Sequence, residues 1–415
     1  METETTKMMN KNVIWNTIGT SANAFLSLFF LIIVTRINGV EDAGIFSFSF
    51  SNACILSVVG MYMGRTYQVS YTGKDITDSD YIYSRCFTCV LMILISGIML
   101  FINQYSPEKS IIFMSLTVYK MLEAFSDVIY GIVQKNGCLY MVGKSFFIKA
   151  VLSFIVFVIV DMITRNLLIS CIGICIVMVA VILFYDMANI KKMNVSRSRF
   201  SKTNIMALFK GGFAICITTL LSNYIVSAAK YAIDMRGMDE FQAIFGIILM
   251  PATVLSLLGQ FIIHPSLLNL TKAYSKRAFA EMKRIVYRMI GIMVGFGILA
   301  VLAAAWLGIP VLEILYGISL DSYRMELILI MAGAIFYGIA FILLSLLTVM
   351  RYTVVQMYIY VFLAVCAFVS SYFLVEKAGI SGAAYSYIGI MVSEAVIYGI
   401  LSFICVKKEK KKAVF

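Results

Sequence analysis

The chain has 415 residues, of which 61% are hydrophobic and 13% are charged, and its net charge is +12. A soluble domain of this size cannot bury so large an apolar fraction, so the composition excludes a soluble globular protein. Because no aromatic–basic reading surface accompanies the cations, no nucleic-acid partner is expected.

Apolar runs of about 18 residues or more recur along the chain, and each can cross the roughly 30 Å hydrocarbon core of a bilayer. The first run follows a polar segment with acidic residues and no small-residue cleavage site, which argues against a signal peptide. We predict an all-α integral membrane protein with about twelve transmembrane helices. The predicted spans are 13–35, 44–70, 85–104, 110–133, 145–163, 167–189, 206–234, 241–271, 286–308, 326–350, 354–375 and 380–406.

A short pattern in the second predicted span recurs in the eighth at a constant offset, close to half the chain length. The matched residues are Ile45 and Ile244, Phe46 and Phe245, Ala53 and Ala252, Leu56 and Leu255, Ser57 and Ser256, and Gly60 and Gly259. Internal repeats of membrane helices are typical of transporters. We therefore predict two pseudo-symmetric six-helix lobes around a central cavity, related by an axis along the membrane normal.

Lysine and arginine residues concentrate on one predicted side of the membrane, mainly in the blocks 191–202 and 272–288 and in the C-terminal tail. Cytoplasmic loops are enriched in these residues, so both termini are predicted to be cytoplasmic. The same blocks can touch anionic lipid headgroups. The predicted divisions are an N-terminal lobe (1–190), a basic cytoplasmic linker (191–203), a C-terminal lobe (204–406) and a basic cytoplasmic tail (407–415).

Polar side chains recur at helical spacing inside the predicted spans. They are costly in hydrocarbon, so they should face the bundle interior or a water-filled cavity. The stripe of the first span is Asn12, Asn16, Thr20, Asn23 and Ser27, and that of the seventh is Asn223, Ser227, Lys230 and Asp234. Arg65 and His264 occupy equivalent positions of the repeat, with Gln260 on the same face as His264. The remaining charges include Lys120, Glu123 and Asp127 in the fourth span, Lys149 in the fifth and Glu394 in the twelfth.

A purely structural role is the alternative for each of these residues. Lys120 with Glu123, and Lys230 with Asp234, have the spacing of ion pairs within one helix. Asn and Ser stripes can hold helices together, and His264 fits a hydrogen-bonded helix residue better than a proton relay. The repetition of stripes between the halves favours one shared cavity.

No enzymatic motif is present. The nucleotide-binding patterns G-x-x-x-x-G-K-[ST] and G-x-G-x-x-G are missing, and the chain has one histidine. The nine cysteines lie mostly in apolar runs, which predicts free thiols and not metal ligands. We expect no catalysis, no cofactor and no metal, and an energy source in an ion gradient or a partner reaction.

The segment 10–60 resembles the start of the bacterial polysaccharide flippases, the O-antigen and capsule repeat-unit exporters of the multidrug/oligosaccharidyl-lipid/polysaccharide superfamily. It shares their Asn-bearing first span, a short turn around Gly39 to Gly44, and an AG-x-F-S-like start to the second span. The segment 208–270, with its run MPATVLSLLGQFIIHPSL, also fits. The layout of twelve spans in two lobes extends the resemblance over nearly the whole chain.

The resemblance implies a V-shaped bundle in the bacterial cytoplasmic membrane that alternates between inward-open and outward-open states. Its cargo would be an undecaprenyl-diphosphate-linked oligosaccharide, whose lipid tail stays in the bilayer. An initiating glycosyltransferase and a polysaccharide polymerase would be its partners. Peptidoglycan-precursor flippases of the same superfamily bind the diphosphate through arginines on the first, second and eighth spans. Here Arg65 and His264 fall on the second and eighth.

Such a cargo needs cations in a hydrated cavity, because one charge at the bilayer centre costs at least about 2.5–3.5 kcal/mol. The predicted cavity cations are Arg65, Lys120, Lys149, Lys230 and His264. Asn16, Asn23, Asn223 and Gln260 are predicted to hydrogen-bond sugar hydroxyls. Glu123, Asp127, Asp234 and Glu394 are candidates for binding the H⁺ or Na⁺ ion that drives the reset.

Three other functions remain open at this point. A multidrug antiporter of the same superfamily would favour an acidic cavity, whereas buried cations are numerous here. A membrane polymerase or glycosyltransferase would carry a large exterior loop, which the sequence lacks. An amino-acid permease would contain an unwound G-x-G substrate loop, which is also missing.

Overall fold

The computed structural model describes the backbone of residues 2–62, 64–70 and 75–414. Within these ranges it describes the side chains except at 2–7, 9, 66, 70, 257–265, 267–268, 353 and 411–414. All the regular structure in the described ranges is helical, which confirms the predicted all-α class. The chain divides into two compact units, Met1–Leu220 and Leu221–Phe415. This division falls inside a helix, and the predicted domain bounds with a linker at 191–203 stay a prediction.

The first unit contains eight helices, a π-helical turn and the first part of a ninth helix. They are α1 Glu2–Ile37, α2 Val40–Met61, α3 Gly64–Ser70, α4 Asp78–Asn103, α5 Pro107–Lys135, α6 Leu139–Thr164, α7 Leu167–Val181, the π turn Ile182–Asp186, α8 Met187–Ile190 and α9 Lys202–Asp234. Local sequence sets several of these ends. Thr77 and Asp80 form a capping box before α4, and Ser106 caps α5, which begins at Pro107.

The second unit contains the end of α9 and five further helices, with a π-helical and a 3-10 segment between them. They are α10 Asp239–Ser275, α11 Phe279–Ala303, the π segment Ala304–Gly308, α12 Ile309–Tyr316, the 3-10 turn Asp321–Tyr323, α13 Arg324–Val349 and α14 Thr353–Val414. The sequence predicts a connection over 309–325, but α12 continues the helix to Tyr316. It ends there because Gly317 adopts a left-handed conformation with φ 75°.

Ten helices in the described ranges are long and apolar enough to cross a membrane, which identifies a multi-pass membrane protein. The count of twelve stays a prediction. The 29 residues of α5 are long enough, but this helix is not among the ten and carries Lys120, Glu123 and Asp127. The long α14 is counted once, although the chain reverses inside it.

The reversal inside α14 occurs at a glycine pair. Gly379 has φ 54° and ψ −125°, outside the helical region. Gly382 lies so close to the Leu374 carbonyl that a Cβ at this position would collide with it. In a continuous helix these two residues would be about 12 Å apart along the axis. The hydroxyls of Ser371 and Ser386 are 2.8 Å apart, so the two arms of α14 lie side by side.

The second predicted span, 44–70, is wrong as a single helix. Tyr62 has φ 52° and Gly64 has φ 66°, and these left-handed conformations end α2 at Met61 and separate it from α3. Arg65 therefore lies on α3, beyond the break, and not on the helix that carries the repeat. The sequence around the break offers only two glycines, Gly60 and Gly64, as a signal.

The first unit is held together by close helix packing. Gly19 of α1 faces Gly143 of α6 so closely that neither position could carry a Cβ. Small residues allow helix backbones to approach in this way. Phe30, Phe46 and Phe157 form a buried cluster at the junction of α1, α2 and α6, with 4.5 Å between the ring centroids of Phe30 and Phe157.

The sequence repeat has the same structural position in each unit. Residues Val40 and Asp239 are equivalent in the repeat, and they begin α2 and α10. The matched pair Phe46 and Phe245 is fully buried, and so is the pair of alanines, Ala53 and Ala252. The residues of the repeat therefore lie on the core faces of two equivalent helices, α2 and α10.

Candidate functional site

The predicted cation Lys120 lies on α5 and forms an ion pair within that helix. Its Nζ is 2.6 Å from Oε2 of Glu123, one helical turn away. The same Nζ lies 4.8 Å from the ring centroid of Phe50 on α2. Both charged side chains keep slight exposure, 13% and 12%. The structure thus joins a predicted cargo contact and a predicted ion-coupling residue in one pair.

The predicted cation Lys149 on α6 is the centre of a buried network. Its Nζ lies 2.6 Å from Oδ2 of Asp186 and donates to the hydroxyls of Ser126 and Tyr130, each at 2.7 Å. Ser145 donates to the other oxygen of Asp186 at 2.6 Å. Every polar atom around this ammonium is therefore supplied by the protein, and Asp186 is a residue that the sequence analysis missed.

The predicted ion-coupling residue Asp127 also has a cationic partner. Arg85 on α4 places Nη2 3.3 Å from Oδ2 of Asp127, and its Nη1 donates to the Gly60 carbonyl at 3.1 Å. Arg85 is the first residue of the predicted span 85–104, and the sequence analysis gave it no role. The structure shows it buried against α2 and α5, because Asp127 and the free carbonyl at the end of α2 satisfy its donors.

Arg65 is the second residue of the short helix α3 and is partly buried. Its Nη1 is shielded from solvent and has no hydrogen-bond partner in the described part of the chain. A neighbouring residue, Gln68, holds α3 against α5 by donating to the Val128 carbonyl at 3.2 Å. Gln68 fits there because Gly131 has no side chain. A fixed helix thus presents a guanidinium donor that is still available to an anion.

The polar stripe of α1 has mixed roles. Asn12 links α1 to the start of α6, since its Oδ1 accepts from the Tyr140 backbone N–H at 2.8 Å and its amide donates to the Gly137 carbonyl at 3.0 Å. Asn16 and Asn23 are partly buried. The Oδ1 atom of Asn16 is buried and unpartnered within the described residues. Asn12 is therefore structural, while Asn16 retains an acceptor for a polar ligand.

A second acid that sequence reasoning missed lies at the end of α6. Asp161 is fully buried, and its Oδ1 accepts from Ser170 at 2.9 Å and from the Asn38 amide at 3.3 Å. Its Oδ2 and the Asn38 Oδ1 are both buried without a partner in the described ranges. The signal that could have found it is the single carboxylate in the predicted span 145–163.

In the second unit, the predicted residues Lys230 and Asp234 are both buried near the end of α9. Gln242 on α10 donates its amide to the Lys230 carbonyl, which joins the two helices. Asn223 lies about two helical turns before Lys230 on α9, and it is exposed. The predicted residues Gln260 and His264 lie outside the residues whose side chains are described, so their roles stay predictions.

Glu394 on the second arm of α14 is 1% exposed. Its Oε1 accepts from the hydroxyl of Tyr360, on the first arm, at 2.9 Å. No lysine or arginine of the described residues lies within ion-pair distance of it. A buried carboxylate without a cationic partner can bind an H⁺ or Na⁺ ion, which distinguishes Glu394 from Glu123 and Asp127.

Within the first unit, these observations separate the predicted site residues into two groups. Lys120, Glu123, Lys149 and Asp127 have charged partners supplied by the protein. Arg65 and Asn16 keep buried polar atoms that the described residues leave unpartnered. The described residues contain no group of three or more His, Cys, Asp or Glu side chains that could hold a metal.

Comparison with known proteins places this arrangement in a known fold. A multidrug resistance MATE transporter of the superfamily named above, solved in an inward-facing conformation, superposes with a TM-score of 0.68 over 95% of this chain and 99% of that chain, at 13% identity. The lipid II flippase MurJ in an inward closed conformation gives 0.69 over 94% and 87%, at 16% identity. The chain has the fold of this exporter superfamily. The resemblance predicted from the sequence is confirmed for the fold.

Sequence comparison gives one further relative and no family model matches the chain. The capsular polysaccharide biosynthesis protein CapF of Staphylococcus aureus is 22% identical over 386 residues, covering 91% of this chain and 94% of that protein. The similarity runs over nearly the full length of both proteins, so it does not come from a single shared segment. All the solved relatives named here are transporters or flippases.

Proposed function

We propose that this chain is a flippase that moves an undecaprenyl-diphosphate-linked oligosaccharide repeat unit across the bacterial cytoplasmic membrane. The observation that carries the proposal is the similarity of the chain, over nearly its full length, to a capsular polysaccharide biosynthesis protein. The chain also shares its fold with a lipid II flippase. The translocation is by alternating access, is coupled to an ion gradient, and needs no catalysis by this chain. Both termini are on the cytoplasmic side.

The residues of the first unit support an anionic, sugar-bearing cargo. Arg65 offers a buried guanidinium donor, and Asn16 offers a buried amide oxygen. A guanidinium binds phosphate oxygens in a fork geometry, and an amide oxygen accepts from sugar hydroxyls. Lys120 adds positive charge beside the Phe50 ring, but Glu123 must release it before it binds cargo. Arg65 is therefore the first contact expected for the diphosphate.

The proposal is tested with purified protein in liposomes that contain a fluorescent polyprenyl-diphosphate oligosaccharide. A quencher outside the vesicles measures how fast the headgroup changes leaflets. Arg65→Gln is expected to slow this movement at least tenfold, because a charge-assisted contact to the headgroup is lost. Arg197→Gln removes the same charge from an exposed position and is the matched control. Equal rates for Arg65→Gln and the control protein would contradict the role of Arg65, and no movement by the unaltered protein would contradict the function.

The second candidate is a cation-coupled multidrug antiporter, which the MATE fold and the buried Glu394 favour. Expression in a strain that lacks its own drug pumps separates the two functions. The flippase predicts no rise in resistance to cationic drugs. A rise that Glu394→Gln abolishes would support the antiporter instead.

A further inference from the structure

The second unit contains a cavity of about 440 Å³ between α11, α13 and the second arm of α14. None of the residues assigned above to cargo or ion coupling lines it. On α14 its lining follows one helical stripe, from Gly399 through Ser402, Phe403 and Val406 to Lys407 and Lys410. These positions recur at intervals of three or four residues, with two adjacent pairs among them, so they share one face of the helix.

The two ends of this cavity differ in chemistry. Lys283 near the start of α11 and Lys407 and Lys410 near the end of α14 lie at one end. Further along α11, the lining continues through Val286 to Ile290, which is about 10 Å from Lys283 along the axis. Leu343 and Leu346 of α13 complete the apolar part. The cavity is therefore amphipathic, with three ammonium groups at its mouth and an aliphatic channel behind them.

The acidic residue nearest in sequence to Lys407 and Lys410 is already occupied. Glu409 accepts hydrogen bonds from the hydroxyl of Tyr352 at 2.9 Å and from that of Tyr274 at 3.3 Å. Lys283, Lys407 and Lys410 form none of the ion pairs found among the described residues. Their charge is therefore available to an anion from outside the chain.

Two further features point to a bound molecule. Ser402 lines the cavity and is 4% exposed, and its hydroxyl has no partner in the described part of the chain. Tyr287 and Phe403 flank the lysine end and remain 69% and 67% exposed. Exposed aromatic rings beside lysines are typical of the level at which headgroups meet acyl chains.

We infer that this cavity binds one anionic glycerophospholipid from the surrounding bilayer. Its phosphate contacts the ammonium groups of Lys283, Lys407 and Lys410, the Ser402 hydroxyl donates to a glycerol ester oxygen, and one acyl chain lies along Val286, Ile290 and Leu343. Basic pockets between membrane helices bind anionic headgroups for this electrostatic reason. The inference does not depend on the cargo, and it applies equally to a flippase or an antiporter.

The contribution of the lysine charges is tested on the delipidated full-length protein, by counting with native mass spectrometry the lipids that bind when they are added back. Phosphatidylglycerol is titrated against phosphatidylcholine. The triple variant Lys283→Gln, Lys407→Gln and Lys410→Gln is expected to bind phosphatidylglycerol at least tenfold more weakly. The variant Lys192→Gln, Lys272→Gln and Lys276→Gln removes three exposed lysines elsewhere and is expected to change binding less than twofold. Equal losses in the two variants, or no preference for phosphatidylglycerol, would overturn the inference.

The acyl contact is tested without altering charge. A Cβ added at Gly399 meets no atom within 4 Å, and this position lines the cavity, so Gly399→Leu places an apolar side chain in the space assigned to the acyl chain. Gly389→Leu is the matched control, because this position on the same arm is equally open and does not line the cavity. We expect Gly399→Leu to lose the retained phosphatidylglycerol and Gly389→Leu to keep it. Retention of phosphatidylglycerol in Gly399→Leu would show that this lipid does not occupy the cavity. Displacement of phosphatidylglycerol by polyprenyl diphosphate, and by no other lipid, would assign the cavity to that ligand.

Discussion

Lys149 and Asp186 illustrate how single residues determine what this protein can do. Both side chains are almost fully buried, at 3% and 2% exposure. Each N–H of the ammonium donates to a hydroxyl or to the carboxylate. Breaking such a pair leaves one buried charge without compensation, which costs far more than the pair contributes. The sequence analysis assigned Lys149 to the cargo, and the structure gives it a partner inside the protein.

The expected effect of Lys149→Met is a loss of about 3–5 kcal/mol in the free energy of unfolding, because Asp186 is left charged and buried. The double variant Lys149→Met with Asp186→Leu should recover most of that loss, since it removes both charges. Thermal melting of the purified protein in detergent measures both. A single variant as stable as the original protein would show that the pair is not what holds these helices.

The carboxylates also differ in what each can bind. Glu123 and Asp127 already face a cation, whereas Glu394 faces only hydroxyl groups among the described residues. If transport is driven by H⁺ or Na⁺, Glu394→Gln should remove the dependence of the transport rate on the ion gradient. Asp127→Asn should mainly lower stability, because it leaves Arg85 without its charged partner.

Proteoliposomes with imposed H⁺ or Na⁺ gradients test this difference. The folded fraction of each variant, from size-exclusion chromatography, corrects the rates. Gradient dependence that persists in Glu394→Gln but disappears in Asp127→Asn would reverse the assignment.

At the scale of helices, the reversal inside α14 depends on two glycines. Gly379 supplies a left-handed φ, and Gly382 permits contact with the Leu374 carbonyl. Elsewhere the same principle brings α1 against α6 at Gly19 and Gly143. These contacts hold elements together without polar groups, as is common when helices pack in lipid.

Gly382→Ala tests the reversal. The added Cβ overlaps a backbone carbonyl that cannot rotate away, so we expect a loss of about 1–3 kcal/mol in the free energy of unfolding. Gly389→Ala is the control. Its added Cβ meets open space, and alanine is a better helix former than glycine. Melting temperatures that fall equally in the two variants would argue against a special role for Gly382.

For the whole molecule, the membrane topology is predicted from the distribution of lysine and arginine. A C-terminal fusion to green fluorescent protein is expected to fluoresce, and a C-terminal fusion to alkaline phosphatase is expected to be inactive, because the tail is predicted to be cytoplasmic. A phosphatase inserted after Gly317 should be active, since this turn is predicted to lie outside. An active phosphatase at the C-terminus would contradict the predicted orientation.

The fold class was predictable from the sequence because it depends on hydrophobic runs and on a repeat within the chain. The pair of Lys120 with Glu123 was predictable for a similar reason, since its partners are neighbours on one helix. The partners of Lys149 and Asp127 were not predictable, because Asp186 and Arg85 come from other helices. The break between α2 and α3 was missed because glycines are common in membrane helices, so Gly60 and Gly64 do not mark it clearly. Tyr62, a residue that rarely adopts a left-handed conformation, also adopts one there.

The π turn at Ile182–Asp186 has a consequence for how this segment tolerates changes in length. A π turn holds one residue more than an α-helical turn, so it takes up an inserted residue without rotating the helix beyond it. In an uninterrupted α-helix the same sequence would swing the Asp186 carboxylate about 100° around the axis. Deleting Phe184, whose ring is 83% exposed, should therefore shorten the chain yet leave the carboxylate pointing at the lysine, whereas a deletion in the regular part of α7 should turn it away.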